Sequence, residues 1–160
     1  MIPINVRGIL FLFTPLMLYL SYGIISKNAM AKEEYPMHTG IIQFLDTEYR
    51  NFPVRNHGAY RYLQLEGYPY VFEIYEPNSE PSPKTIDDLK VGDEISIFFY
   101  ETDDTHESGM NRFTQFIDHK GESYFVRNAF KKHLGYALIG IAIFADILCL
   151  YFWEKGKFPW

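Results

Sequence analysis

Two apolar blocks constrain this chain more than any other feature of its sequence. Residues 8–26 and residues 134–153 contain one charged residue between them, Asp146. An α-helix rises about 1.5 Å per residue, so each block would reach roughly 28–30 Å, the thickness of the hydrocarbon core of a bilayer. The sequence therefore predicts two transmembrane helices, one towards each end of the chain.

The second block is flanked as a membrane span would be. Lys131 and Lys132 precede it, and three aromatic residues close it: Tyr151, Phe152 and Trp153. Aromatic side chains concentrate at the interface between lipid and water. The alternative is a buried helix of a soluble protein. A domain of about 100 residues would have to cover a helix that is apolar on all sides, which argues against that alternative.

The first block also fits a signal peptide. Arg7 would end its basic region, residues 8–20 would form its apolar region, and Ala29, Met30 and Ala31 would form an A-x-A cleavage site. Against this, the apolar stretch continues to Ile25, longer than most such regions, and Lys27 interrupts the cleavage region. We predict a retained helix over residues 1–31, with a cleaved signal peptide as the alternative.

The segment between the blocks is acidic and free of cysteine. Residues 32–133 carry 11 Lys or Arg and 18 Asp or Glu. This balance argues against nucleic acid as a partner and against broad docking of the segment on anionic lipid. The single cysteine, Cys149, lies in the second apolar block. Disulfides and cysteine nucleophiles are therefore excluded from residues 32–133.

Short runs of β-branched and aromatic residues predict a β-rich domain. We expect strands at 39–45, 59–65, 70–75, 94–101, 112–118 and 122–127, a helical turn at 85–90, and loops at 76–84 and 102–110. The predicted fold class is an α+β membrane protein, in which two transmembrane helices flank a small antiparallel β-barrel or β-sandwich. The predicted division is residues 1–31 (helix or signal peptide), 32–133 (β-rich domain), 134–153 (helix) and 154–160 (tail).

The stretch from Leu89 to Tyr100 has a Val-Gly-Asp turn, at residues 91–93, that introduces a late strand. This turn, together with the two predicted transmembrane helices that flank the β-domain, resembles a broad group of uncharacterised bacterial membrane proteins. The resemblance implies a multi-pass protein of the inner cell membrane with a small β-domain. It implies no activity, no cofactor and no site residue.

Asp146 is the most informative single residue. A carboxylate in a bilayer costs free energy, so it is expected to have a partner. It lies four residues after Ala142, on a stripe of small residues with Gly135 and Cys149. Small residues are typical of helix contacts in membranes. In an antiparallel pair, Thr14 lies at the depth of Asp146, so we expect a hydrogen bond to Thr14 or to an ionisable residue of a partner membrane protein. The alternative, which the sequence leaves open, is that Asp146 extends to the interface or is protonated and has no function.

Three weaker sites lie in the acidic segment. Carboxylates and imidazoles in residues 103–107, with Asp118 and His119 across a hairpin, suggest a divalent-cation site formed by Asp103, Asp104, His106 and Glu107. The scattered histidines suggest a hidden enzyme: His38, His57, His106, His119 and His133. A basic cluster suggests an anionic partner: Arg50, Arg55, His57 and Arg61. For each of these sites we favour the alternative of ordinary surface or loop chemistry, so no metal site is predicted.

These patterns favour a membrane-anchored, non-enzymatic interaction or scaffold module, with no predicted catalytic residue and no cofactor. The distribution of Lys and Arg around the two blocks would place the β-domain in the cytoplasm. However, a long connecting segment translocates largely regardless of its charge, and a signal-like N-terminus would export it, so we expect the β-domain on the extracytoplasmic side. Two alternatives remain open. One is a membrane-anchored, metal-binding hydrolase that uses His106 and Glu107. The other is a small subunit of a larger membrane complex, held through the face of Asp146.

Overall fold

The computed structural model describes residues 6–157 and divides into two compact units. The helical unit comprises the chain up to residue 29 and from residue 129 onwards, and the β unit comprises residues 30–128. The α-helices are α1 (Val6–Gly8), α2 (Thr14–Asn28), α3 (Asp103–Ser108) and α4 (Phe130–Glu154). A π-helical segment, Ile9–Phe13, joins α1 to α2.

The π-helical segment lies where proline interrupts the first apolar block. Pro15 occupies the first turn of α2, where the missing N–H of proline costs little. In the middle of an unbroken α-helix, the same ring would clash with the preceding turn. A local change to π-helical pairing before the proline lets the helical path continue from Val6 to Asn28.

Helices α2 and α4 pack through small residues. The buried residues of α4 are Gly135, Ala142 and Cys149, which recur every seven positions and so share one face. A Cβ atom on Gly135 would lie 2.5 Å from Cγ1 of Ile25, which is too close for any side chain. The two helix backbones therefore approach closely at Gly135, as small residues permit.

The rest of the helical surface is apolar and exposed. Large side chains on both helices remain more than half accessible, among them Phe11 at 71%, Tyr19 at 75% and Phe144 at 61%. Over the spans Leu10–Asn28 and Phe130–Glu154 the mean hydropathy is 1.4 and 2.1. By length and composition, both helices can cross a membrane. Helix α4 begins four residues before the predicted block, because Lys131 and Lys132 are already helical.

The β unit is built on one seven-stranded mixed sheet. Its strands are β1 (Met37–Asp46), β2 (Tyr60–Leu65), β3 (Val71–Tyr75), β4 (Glu94–Phe99), β5 (Met110–Asn111), β6 (Thr114–His119) and β7 (Glu122–Val126). They lie in the order β5-β3-β2-β1-β4-β6-β7. All neighbouring strands are antiparallel except β3 and β5.

One face of the sheet covers the main core. In β4 the residues alternate, with Ile95, Ile97 and Phe99 buried and the intervening residues partly accessible or exposed. The core combines residues from strands at both ends of the sheet, including Phe72 of β3 and Phe125 of β7. The sheet is therefore curved so that its outer strands share one interior.

The predicted barrel is not closed. Beyond β3, residue Ser79 forms only an isolated bridge with Arg127, and the backbone N–H of Glu80 donates to the carbonyl of Val126 at 2.7 Å. No strand ladder joins β3 to β7 in the described sheet. The prediction of a purely antiparallel barrel or sandwich was therefore wrong in two respects: the sheet is open, and it contains a parallel pair.

The prediction of a loop at residues 102–110 was also wrong. Residues Asp103–Ser108 form α3, which begins after Thr102 and ends at Gly109 in the left-handed conformation. Acidic residues in the first turn favour a helix because they complement its dipole, and glycine is the usual residue at such an end. The short strand β5 that follows was not predicted. All six predicted strands are present, and their ends lie within a few residues of the predicted ends.

Replacing Phe72 tests the shared core. Its side chain is 0% exposed and stacks on Tyr68 with ring centroids 4.5 Å apart. We expect Phe72→Ala to lower the free energy of unfolding by about 3–5 kcal/mol through lost burial and a cavity. Urea titration of the full chain in mild detergent, followed by far-UV circular dichroism, measures this. The control is Val91→Ala at a 63% exposed position, for which we expect a change within about 0.5 kcal/mol.

Candidate functional sites

In the helical unit, the structure brings together Thr14 and Asp146. The hydroxyl of Thr14 donates to Oδ1 of Asp146 at 2.6 Å, across 132 residues of sequence. Thr14 opens α2, immediately before Pro15, and Asp146 lies one turn after buried Ala142 in α4. A carboxylate on an otherwise uncharged helical face is thus paired inside the unit.

The pairing of Thr14 with Asp146 agrees in register with the contact between Ile25 and Gly135. Thr14 precedes Ile25 by 11 residues, and Asp146 follows Gly135 by 11 residues. Equal spacing in opposite directions is what an antiparallel helix pair produces. The hydrogen bond and the contact at Gly135 therefore fix the same alignment of the two helices at two points along their length.

In the β unit, a polar network surrounds the Tyr68 hydroxyl. Tyr68 is 8% exposed; its hydroxyl donates to Oε1 of Glu101 at 3.1 Å and accepts from Nδ2 of Asn111 at 3.1 Å. Asn111 is fully buried, and the same Nδ2 donates to the carbonyl of Tyr100 at 3.2 Å. Burial raises the pKa of Tyr68, so its hydroxyl stays protonated and remains a donor at neutral pH.

His106 of α3 extends this network to the surface. Its Nδ1 lies 2.7 Å from the hydroxyl of Tyr70, and its Nε2 lies 3.4 Å from Oε2 of Glu101. A continuous chain of contacts thus runs from Tyr70 through His106 and Glu101 to Tyr68 and Asn111. These contacts can hold α3 against the segment that follows β4.

The predicted cation site is not assembled. Asp104 pairs with Arg112 at 2.8 Å, and His106 is held by Tyr70 and Glu101. Asp118 pairs with Lys32 and accepts from Ser123, while Nδ1 of His119 contacts the carbonyl of Glu94 at 2.7 Å. Among residues 6–157, no three His, Cys, Asp or Glu side chains converge as metal ligands would.

The predicted basic cluster is largely occupied within the β unit. Arg55 pairs with the carboxylate of Glu73, which is 7% exposed, and stacks over Tyr60 at 4.1 Å. Arg61 pairs with Glu76 at 3.3 Å and Asp87 at 2.7 Å. Hydrogen bonding to Arg61 lowers the pKa of Asp87. These arginines therefore stabilise their own domain, which leaves them little capacity for an anionic partner.

The remaining histidines do not join a common site. His38 packs on the ring of Tyr68 and contacts the carbonyl of Glu66 at 3.2 Å. His57 lies in a 3₁₀ turn with φ of 55°, and His133 lies in the first turns of α4. Only His106 of the five belongs to a network of charged and hydroxyl side chains.

A shallow groove of about 510 Å³ lies on the outer face of the sheet, across β1, β4 and β6. Its floor includes Thr39 and Ser96, whose hydroxyls are 2.8 Å apart. Its rim carries acidic residues and one lysine: Asp93, Glu94, Asp118 and Lys120. The groove is thus predominantly acidic, with hydroxyl groups at its base.

Sequence reasoning missed most of the network around Tyr68. Its members Tyr68, Tyr70, Glu101 and Asn111 are separated by up to 43 residues and belong to no local motif. Only His106 had been singled out, as part of a metal site. No protein-family model, curated protein or solved structure matches this chain.

A double-mutant cycle tests the contact between Thr14 and Asp146. We expect Thr14→Val and Asp146→Leu to be non-additive, with a coupling of about 0.6–1.7 kcal/mol, as for hydrogen bonds between membrane helices. Asp146→Leu also removes a carboxylate from an apolar helix pair, which changes stability by itself, so only the cycle isolates the contact. Unfolding by SDS in mixed micelles, followed by tryptophan fluorescence, supplies the four free energies.

The matched control pairs Asp146→Leu with Ser26→Ala, because the Ser26 hydroxyl bonds only within α2, to the carbonyl of Gly23. These two changes should add within about 0.5 kcal/mol. Additivity of Thr14→Val with Asp146→Leu would show that the hydrogen bond contributes nothing to the helix pair.

Proposed function

We propose that this chain is a multi-pass membrane protein whose β-domain serves as an interaction module. The observation that carries the membrane part is the exposed apolar surface of α2 and α4, with side chains such as Phe11, Tyr19 and Phe144 facing outward. In water such a surface promotes aggregation, whereas lipid solvates it, and a helix satisfies its own backbone hydrogen bonds there.

The packing of α2 supports its retention in the mature protein. Gly135 lies so close to Ile25 that no residue with a side chain would fit at position 135. The hydroxyl of Thr14 donates a hydrogen bond to the carboxylate of Asp146. A cleaved signal peptide would leave both features without a purpose. We therefore propose a two-helix hairpin in a bacterial inner membrane, consistent with the resemblance of the chain to two-helix bacterial membrane proteins.

The charge of the β unit supports a basic partner. Residues 30–128 carry nine Lys or Arg and eighteen Asp or Glu. Three of the cations, Arg55, Arg61 and Arg112, are held in ion pairs with acids of the same unit. A large acidic excess therefore remains, and the outer groove presents part of it at Asp93 and Glu94. Complementary charge speeds association and sets partner choice.

The alternative functions fit the described residues less well. A metal-binding hydrolase lacks a converging ligand set within residues 6–157, and His106 is already engaged by Tyr70 and Glu101. A complex held through the face of Asp146 would compete with the internal bond to Thr14. We therefore prefer the interaction module to the hydrolase and to the subunit held through Asp146.

Membrane anchorage is tested on the full chain expressed in a bacterium. We expect the protein to stay with membranes after carbonate washing and to dissolve only in detergent, because two apolar helices are buried in lipid. Intact mass should show that residues 1–31 are retained. Release by carbonate, or a mature chain that begins at Lys32, would contradict the two-helix anchor.

Thiol labelling of the same cells shows on which side of the membrane the β-domain lies. The variant Lys120→Cys, combined with Cys149→Ser, carries its one thiol at an exposed position of the domain. An impermeant maleimide should label it in cells with a permeabilised outer membrane and an intact inner membrane. Labelling only after inner-membrane lysis would place the domain in the cytoplasm.

Photo-crosslinking tests the groove as the docking surface. The photoreactive residue p-benzoylphenylalanine at position 120, on the groove rim, should give a partner adduct, whereas at exposed Val54 it should give none. The variant Glu94→Lys, which reverses a charge in the groove, should abolish the adduct because a basic partner is repelled. Glu48→Lys, an exposed acid outside the groove, is the control and should preserve it. Equal adducts in both charge-reversal variants would contradict an acidic docking groove.

A further inference from the structure

Two residues that line the acidic groove of the β unit, Phe98 and Asp118, hold a lysine of the same chain. Nζ of Lys32 pairs with Oδ2 of Asp118. The same Nζ lies 4.9 Å from the centre of the Phe98 ring and 5.4 Å from the centre of the Phe116 ring. Carboxylates and aromatic faces are the groups that attract an ammonium ion in proteins. The ammonium group of Lys32 is therefore bound on three sides.

The sheet holds the two rings and the carboxylate in place. Phe98 of β4 lies opposite Phe116 of β6, with the ring centroids 6.2 Å apart and the ring planes at 88°. Asp118 lies two residues after Phe116 on the same strand, so both side chains are on one face of the sheet. The hydroxyl of Ser123 donates to Oδ1 of Asp118 at 2.7 Å, so Oδ2 is oriented towards the ammonium group. The strands therefore form this arrangement without a contribution from Lys32.

Lys32 can leave these groups without detaching the segment that carries it. It lies in a short 3₁₀ turn, and its side chain is 27% exposed. The neighbouring Tyr35 is buried and packs on Phe116 with ring centroids 6.0 Å apart. The carbonyl of Pro36 accepts from a backbone N–H of β4 at 3.0 Å. Because these contacts anchor the segment, rotation of the Lys32 side chain is enough to open the site.

The contacts of Lys32 are also weak enough to be exchanged. A partly exposed ion pair and a cation–π contact at an accessible position each favour the bound lysine roughly two- to fivefold. Together they leave the site open for about one tenth of the time. A lysine of another protein would make the same contacts, and Asp93 and Glu94 in the groove would attract further cations of that protein.

We propose that Phe98, Phe116 and Asp118 form a subsite for the lysine ammonium group of a basic protein partner. Lys32 occupies this lysine subsite until the partner displaces it, so it acts as an internal competitor. The inference rests on the basic partner proposed above and names the side chain by which the groove recognises that partner. Because competition lowers the apparent affinity by the fraction of open sites, removal of Lys32 strengthens binding by about tenfold.

Fluorescence anisotropy of a labelled pentalysine peptide tests this on the full chain in a non-ionic detergent. We expect K32Q to bind the peptide about tenfold more tightly than the unmodified chain, and K32Q/D118N to lose this gain. The charge-matched control K32Q/E48Q removes an exposed acid outside the groove and should keep the gain. The control K120Q removes one positive charge from the groove rim, as K32Q removes one from the subsite, and should change the affinity by less than about twofold.

A second variant tests the aromatic part of the subsite without changing any charge. K32Q/F98L keeps an apolar side chain at position 98 but removes its ring, so it should bind the peptide roughly two- to fivefold more weakly than K32Q. A peptide whose lysine side chains are acetylated has no side-chain ammonium group and should bind neither K32Q nor the unmodified chain.

The outcomes separate this inference from the proposed function. Equal affinity of the unmodified chain and K32Q would overturn the lysine subsite, and so would an equal gain in K32Q and K120Q, which would assign the effect to net charge. If E94K still abolishes peptide binding in either case, the acidic groove stands and the subsite alone is refuted. Binding that E94K does not weaken would contradict the groove itself. Absence of peptide binding to every variant would refute both proposals.

Discussion

The close approach of α2 and α4 is the constraint on which the rest of the helical unit depends. Gly135 has no side chain, so Ile25 can lie where a Cβ atom would otherwise be, and the seven-residue repeat of small residues continues the contact along α4. The bond from Thr14 then partners Asp146 in the same alignment. Because the small residues face inward, the large apolar residues face outward.

The β unit is stabilised differently. Its curved sheet of short strands forms a core from apolar side chains, because the unit contains no cysteine and therefore no disulfide. Alternation in β4 sends Ile95, Ile97 and Phe99 to one side, where β3 and the edge strand β7 contribute Phe72 and Phe125. Two of its buried polar side chains have partners: Glu73 lies between Arg55 and Arg112, and Asn111 bonds Tyr68. Removal of one partner from such a group would leave a buried donor or acceptor unsatisfied, which costs more than the bond contributes.

Local patterns were enough to predict the helices and most strands, because apolar length and alternation are properties of neighbouring residues. They also indicated the contact between Thr14 and Asp146, because a carboxylate in an apolar block needs a partner and helix rise fixes its depth. The helix α3 was missed because a six-residue helix depends on its ends, Thr102 and Gly109, and on tertiary contacts of His106. The network around Tyr68 and the parallel pairing of β5 join distant segments, which no local pattern encodes.

The two units carry opposite charge: residues 30–128 contain nine Lys or Arg and eighteen Asp or Glu, whereas residues 1–29 and 129–160 contain six and two. If the helical unit lies in a membrane as proposed, an anionic headgroup layer repels the acidic excess of the β unit. At physiological salt this repulsion extends about 8 Å from the surface, so it opposes spreading of the domain on lipid without affecting more distant groups. Under the same proposal, the groove with Asp93 and Glu94 therefore favours a basic protein surface over lipid.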